Sequence, residues 1–182
     1  MSIPLNVTAS PALDRLADRL LEVGREAGLV SVGICDTQPF LEARQELFDR
    51  REAGLAGTMA FTYRNPERST DPQRLLRNAA SLVVGAVSYR QPRTARVARY
   101  ATDDYYTTLR SALERVAEEL RTAGYRARVV ADDNALVDRA AAVRAGLGWI
   151  GRNTGLIAPE EGGEVVLGSV VPDAELPGPG TP

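Results

Sequence analysis

Ser81–Tyr89 reads SLVVGAVSY, and from Leu82 to Val87 no polar side chain interrupts it. It is too short for a typical helix and rich in valine, so it predicts a strand buried on both faces, at the centre of a sheet. Upstream, Pro72–Asn78 predicts a short helix. Before it, Gly54–Pro72, GLAGTMAFTYRNPERSTDP, has no period and predicts a long loop broken by turns. Phe40–Ala53 predicts a helix closed by Gly54, and Leu29–Cys35 a strand. Pro11–Ala27 predicts a first helix with Ser10 as N-cap, a stripe of Leu13, Leu16, Leu20 and Leu21, and Gly28 as its stop.

Downstream, the turn-like RQPRTARVARYAT leads to a helix over Asp104–Thr122. Its stripe of Tyr105, Leu109, Ala112, Leu113, Val116 and Leu120 keeps the helical period, and Gly124 stops it. Tyr125–Val130 predicts a strand, Ala135–Ala145 a helix and Glu164–Val171 a last strand. The order fits an α/β (α+β) layered domain over residues 1–172, a central sheet covered by helices. The ending PDAELPGPGTP predicts a flexible tail over residues 173–182.

The 182 residues suit one domain. No apolar run approaches the roughly 20 residues that span a bilayer, and MSIPLNVTAS does not read as a leader, so a soluble, cytoplasmic protein without a membrane role is expected. Twenty-two basic residues, all arginine, against 24 acidic ones leave a net charge of −2 and no global pull toward nucleic acid. With no histidine and one cysteine, the chain has no Ser-His-Asp triad, histidine metal site, disulfide or iron-sulfur ligand set. Demanding redox chemistry would need a cofactor or another polypeptide segment. Cys35, ending LVSVGIC, reads as a small buried hydrophobe.

The special residues concentrate in Asp132–Gly155, DDNALVDRAAAVRAGLGWIGRNTG. Asn134 is placed to cap the helix that follows, with Asp132 and Asp133 beside its free N–H groups. Either aspartate then serves as a charged cap or, desolvated by an apolar ligand, as a proton donor near neutrality. The alanines at 140, 141, 142 and 145 permit close approach to a neighbouring element or to a large flat ligand. GLGWIG matches G-x-G-x-x-G, but it follows a helix and precedes a strand, the reverse of a dinucleotide site.

The run D-x-x-x-L-x-D-R-x-x-A-x-x-A-G-L-G-W-I-G-R-N-T resembles the signature of epoxyqueuosine reductases, cobalamin-dependent iron-sulfur enzymes that complete queuosine in tRNA. LAGTMAFTYRNPERSTDPQRLL with SLVVGAVSY, and ARYA with Asp104-Tyr105, extend the likeness over residues 12–171. In that family a CxxCxxCxxxCP segment follows the last strand, so the chain is similar to the N-terminal domain alone.

The resemblance implies Asp132 as proton donor, Tyr105 and Arg139 as substrate-binding, and Gly146, Gly148, Trp149, Gly151 and Asn153 as cobalamin-binding residues. It also implies a tRNA anticodon loop as substrate, with phosphate contacts from arginines such as Arg64, Arg68 and Arg152. Electrons would come from an iron-sulfur or ferredoxin-like partner, without which the chain would be inactive. Tyr106 stands where the family has histidine, Thr107 where it has lysine, and Asn134-Ala135 replace Gly-Pro. The alternative is a stand-alone, non-enzymatic corrinoid or nucleotide binder.

Overall fold

A computed structural model of the chain describes residues 10–58, 63–92 and 96–178. Residues 1–9, parts of the long loop (59–62) and of the arginine-rich turn (93–95), and the end of the tail (179–182) lie outside the described residues. The strands are β1 Ser31–Asp36, β2 Ser81–Ser88, β3 Ala127–Ala131, β4 Trp149–Ile150, β5 Leu156–Ile157 and β6 Val165–Pro172. The helices are α1 Pro11–Glu26, α2 Leu41–Glu52, α3 Pro66–Ser69, α4 Tyr105–Thr122 and α5 Asp138–Arg144, with 3₁₀ turns at Pro72–Arg74 and Arg99–Ala101.

Four strands form one sheet in the order β1-β2-β6-β3, every neighbour antiparallel. β2 is buried along seven of its eight positions, in keeping with the unbroken apolar run from Leu82 to Val87 and its place inside the sheet. Side chains alternate between two faces. One row across the sheet, Ile34, Val83, Val170 and Val129, is set by the strand register. It packs against Leu20 and Val23 of α1 and Leu113, Val116 and Leu120 of α4. The next row, Gly33, Val84, Ser169 and Val130, belongs to the opposite face. There Ala141, Ala142 and Ala145 of α5 pack with Val84, Val130, Phe40, Leu75 and Leu136. The sheet is therefore the middle of three layers.

Glycine ends four helices in the same way. After α1, α2, α4 and α5 the N–H of Leu29, Leu55, Tyr125 and Leu147 reaches back to the carbonyl of Gly24, Arg50, Leu120 and Ala142. Such a closure needs one residue in the left-handed region, supplied by Gly28, Gly54, Gly124 and Gly146. At the start of α4, the Asp104 carboxylate accepts from the Thr107 N–H at 2.9 Å and its hydroxyl at 2.6 Å. These bonds hold the Asp104 carboxyl below the usual range. Ser10 occupies the N-cap of α1, but its side chain makes no cap bond.

Several expected boundaries move. β3 begins at Ala127, because Tyr125 closes α4 and the Arg126 N–H binds Asp173 at 2.8 Å. Pro72–Asn78 shortens to one 3₁₀ turn. The helix expected over Ala135–Ala145 begins only at Asp138, and Asn134 does not cap it. Ala135 and Leu136 are buried in the second core, and the Val137 N–H donates to the Ser69 carbonyl at 3.0 Å, so packing draws these residues out of a helical path. The hairpin β4-β5 was not expected. Residues 173–178 lack regular secondary structure, yet Ala174 and Leu176 are buried and the Ala174 carbonyl accepts from the Ser81 hydroxyl at 2.8 Å. The described part of the tail thus packs onto the domain, where flexibility was expected. No helix among the described residues is long and apolar enough to cross a membrane.

Candidate active site

β3 delivers the chain to the site. Arg110 of α4 donates to the carbonyl of Ala131, fixing the strand end. The next residue, Asp132, is exposed and has φ +53°. A non-glycine residue in the left-handed region is uncommon, though aspartate tolerates it better than most. The Asp133 carboxylate accepts from the Ala135 N–H at 3.1 Å and closes the turn. The chain then enters α5 at Asp138.

Asp138 was not singled out from the sequence. Its Oδ1 is buried and has no hydrogen-bond partner. Burial pushes the carboxyl up to about 7; the negative charges of Asp133 and Asp132 act the same way, and Arg139 opposes them. Tyr106, on the first turn of α4, feels the same charges. Burial first, then Asp132 and Asp138, raise its phenol above the usual range. The available signal was an isolated carboxylate opening an alanine-rich helix five residues after an Asp-Asp pair.

The two residues expected to bind substrate are held by contacts within the fold. The Tyr105 hydroxyl accepts from Gln91 at 2.6 Å and lies 3.2 Å from the Thr102 hydroxyl, and its ring lies 5.9 Å from that of Tyr89. Tyr89 also meets Tyr100 edge-on at 6.4 Å. Arg139 donates to the Thr154 carbonyl and ties the start of α5 to the loop of the β4-β5 hairpin. Thr154 itself has φ +63°, an outlier for a β-branched residue. Arg64, Arg68 and Arg152 are exposed.

Gly148 and Gly151 of GLGWIGRNTG are crowded by the hairpin itself, while Gly146 closes α5. A Cβ on Gly148 would stand 2.1 Å from the Ile157 carbonyl oxygen, and one on Gly151 would stand 2.8 Å from both the Asn153 Oδ1 and Ile157. Asn153 is exposed, and its Oδ1 accepts from the Gly155 N–H at 3.1 Å, closing the turn. The alanines of α5 likewise face the sheet, where a Cβ on Gly33 would meet the Ala145 carbonyl oxygen at 2.2 Å. Of the two uses weighed for them, close packing is the one the fold employs.

What the hairpin leaves outward is apolar: Trp149 is 56% and Ile150 49% exposed. A broad, largely apolar ligand fits such a face by burial of area. The chain has no histidine, Cys35 is buried with its thiol pushed up to about 12 chiefly by desolvation, and no metal-holding cluster occurs among the described residues.

The family model described as epoxyqueuosine reductase QueG, DUF1730, matches residues 69–133. An epoxyqueuosine reductase of Gloeobacter violaceus is 35% identical over 162 residues, which is 84% of this chain and 50% of that protein. The crystal structure of an epoxyqueuosine reductase with a tRNA-Tyr epoxyqueuosine-modified stem loop superposes with a TM-score of 0.79 at 26% identity, over 90% of this chain and 47% of the other. A catabolic reductive dehalogenase shares the fold, with a TM-score of 0.60 at 23% identity, over 96% of this chain and 22% of that one. The chain spans about half the length of the curated relatives it matches.

Proposed function

For a chain that belongs to the epoxyqueuosine reductase family and matches its N-terminal part, we propose the role of substrate and corrinoid platform in reducing epoxyqueuosine to queuosine in tRNA. The observation that carries this reading is the juxtaposition at α5. Asp132, in its left-handed turn, stands at one end of the site. The exposed Trp149–Ile150 hairpin stands at the other, joined through Arg139 and Thr154. Backbone held in a sparsely populated region often marks a working site, and here two such residues, Asp132 and Thr154, flank it.

Opening an epoxide to an alkene takes two electrons and two protons and releases the oxygen as water. A bound cobalamin would supply the low-potential electrons at carbon, refilled by an iron-sulfur or ferredoxin-like module. Trp149 and Ile150 form the apolar wall against it, while Gly146, Gly148, Gly151 and Asn153 shape the hairpin that presents them. Asp132 gives a proton to the departing oxygen; with histidine and lysine absent, a carboxyl is the strongest acid the chain offers. Arg139 and the Tyr105 hydroxyl edge the nucleoside pocket. The exposed Arg64, Arg68 and Arg152 would contact the phosphates of an anticodon loop, whose unstacked base suits a single-strand reader.

Trp149 is the only tryptophan, so its emission reports on the hairpin alone. Titration with cob(II)alamin, followed by tryptophan quenching and visible absorption, is expected to give one saturable site that Trp149→Ala weakens. A folded chain that leaves both signals unchanged refutes the corrinoid reading.

A further inference from the structure

Three tyrosines gather beyond the C-terminal end of β2. Tyr89 continues the strand, its N–H donating to the Glu164 carbonyl at 2.9 Å and its hydroxyl to the Gly163 carbonyl at 3.2 Å. Its ring is the hub: Tyr105 tilts against it at 5.9 Å, and Tyr100 meets it at 6.4 Å with 76° between the planes. Tyr100 is the outer member, 64% exposed. Its backbone lies in a bonded turn, where the Ala101 N–H reaches the Ala98 carbonyl at 2.9 Å and the Thr102 hydroxyl reaches the Arg99 carbonyl at 2.7 Å. The ring is therefore braced before any ligand arrives.

The strand register sets Ser88 opposite Val165 and Ala131 opposite Gly168, so Tyr89 and Asp132 leave the same end of the sheet. Residues 90–99, which lead into the cluster, carry four arginines and no acidic residue. Arg99 pairs with Glu164. Arg90 donates to a backbone carbonyl, that of Glu160, and keeps its charge, while Arg96 is exposed. Of the neighbouring acids, Glu161 accepts from the Ser88 hydroxyl at 2.6 Å and Asp104 caps α4.

We propose that Tyr100 is a stacking platform for an unpaired base of the substrate RNA, one that flanks the modified nucleoside, with Arg90 and Arg96 beside it for the adjoining phosphates. This rests on reading the chain as acting on tRNA. Every base has a π-face, so an exposed ring accepts any of them, and nearby cations draw the backbone in. A duplex offers bases already stacked and paired, whereas a loop offers unpaired neighbours on either side of the nucleoside. Tyr105 edges the nucleoside pocket, and Tyr100, joined to it through Tyr89, takes the next base. A ring already held in place loses little freedom when it binds.

Fluorescence anisotropy of a labelled, unmodified anticodon stem loop tests this without corrinoid or turnover. Tyr100→Ala is expected to weaken binding about 10-fold and Tyr100→Phe to bind as the parent, since stacking needs the ring and not the hydroxyl. Arg96→Gln should lower the slope of log affinity against log salt by about 0.7, the share of one single-strand phosphate. The same stem closed as a duplex should not distinguish Tyr100→Ala from the parent. Iodouridine placed along the loop should cross-link to Tyr100 of the parent chain, mapped by mass spectrometry, which keeps the test decisive if Tyr100→Ala does not fold. Equal affinity of Tyr100→Ala and the parent for the stem loop, a Tyr100→Phe that loses as much as alanine, a cross-link that maps elsewhere, or a stem loop that does not bind overturns the platform. Cobalamin titration at Trp149 is read separately, so the platform falls while corrinoid binding stands, or the reverse.

Discussion

Replacing Asp138 with asparagine should change how stability depends on pH. The sign follows from linkage. The carboxyl moves from an ordinary 3.8 to about 7 on folding. The folded chain therefore keeps its proton where the unfolded chain has lost it. Its favourable contribution is complete below the unfolded value and is lost as pH rises through the folded one. At about 1.4 kcal/mol per pH unit, the full loss is about 4 kcal/mol, of which roughly 2.5 kcal/mol falls between pH 5 and 8. Asparagine cannot ionise, so the variant escapes this loss.

The chain suits the measurement, because it has no histidine to titrate in the same window. Urea unfolding of both proteins at pH 5 and pH 8 gives a double difference in which groups that do not interact with Asp138 cancel. The variant should gain on the parent by roughly 2 kcal/mol between the two pH values. A double difference below about 0.5 kcal/mol would mean that Asp138 is solvated and ordinary, and the reasoning about its buried oxygen fails.

Two further outcomes follow from packing. Gly33→Ala drives a Cβ into the Ala145 carbonyl at 2.2 Å and should lower stability by about 1–3 kcal/mol in urea melts, since backbone is the obstacle. An unchanged melt would contradict the close seating of α5 on β1. Cys35, buried with its thiol raised to about 12, should resist thiol reagents in the folded chain at pH 8 and react at once in denaturant. Rapid labelling without denaturant would place it outside the core.

The large elements were legible because their signals are local. SLVVGAVSY announces a central strand, and Gly28, Gly54 and Gly124 close helices by a rule that needs only the left-handed region. What was missed depends on contacts distant in sequence. α5 starts late because Ser69 and the second core claim Ala135 to Val137. The hairpin β4-β5 is two residues per strand and has no readable period. Asp132 was singled out through resemblance. Asp138 was not, because what marks it is the burial of its carboxyl. Gly148 and Gly151 were marked by resemblance alone; their close packing within the hairpin has no readable spacing.

The central claim is that this chain presents a corrinoid and a proton donor to an epoxide in tRNA. The direct measurement incubates the chain with cobalamin, a low-potential chemical reductant and an epoxyqueuosine-modified stem loop, and follows the nucleoside by mass. The account predicts loss of one oxygen with the parent chain and a fall of about 100-fold or more with Asp132→Asn, the usual scale for removing a positioned acid. An equal rate for Asp132→Asn and the parent, with cobalamin bound to both, would contradict it.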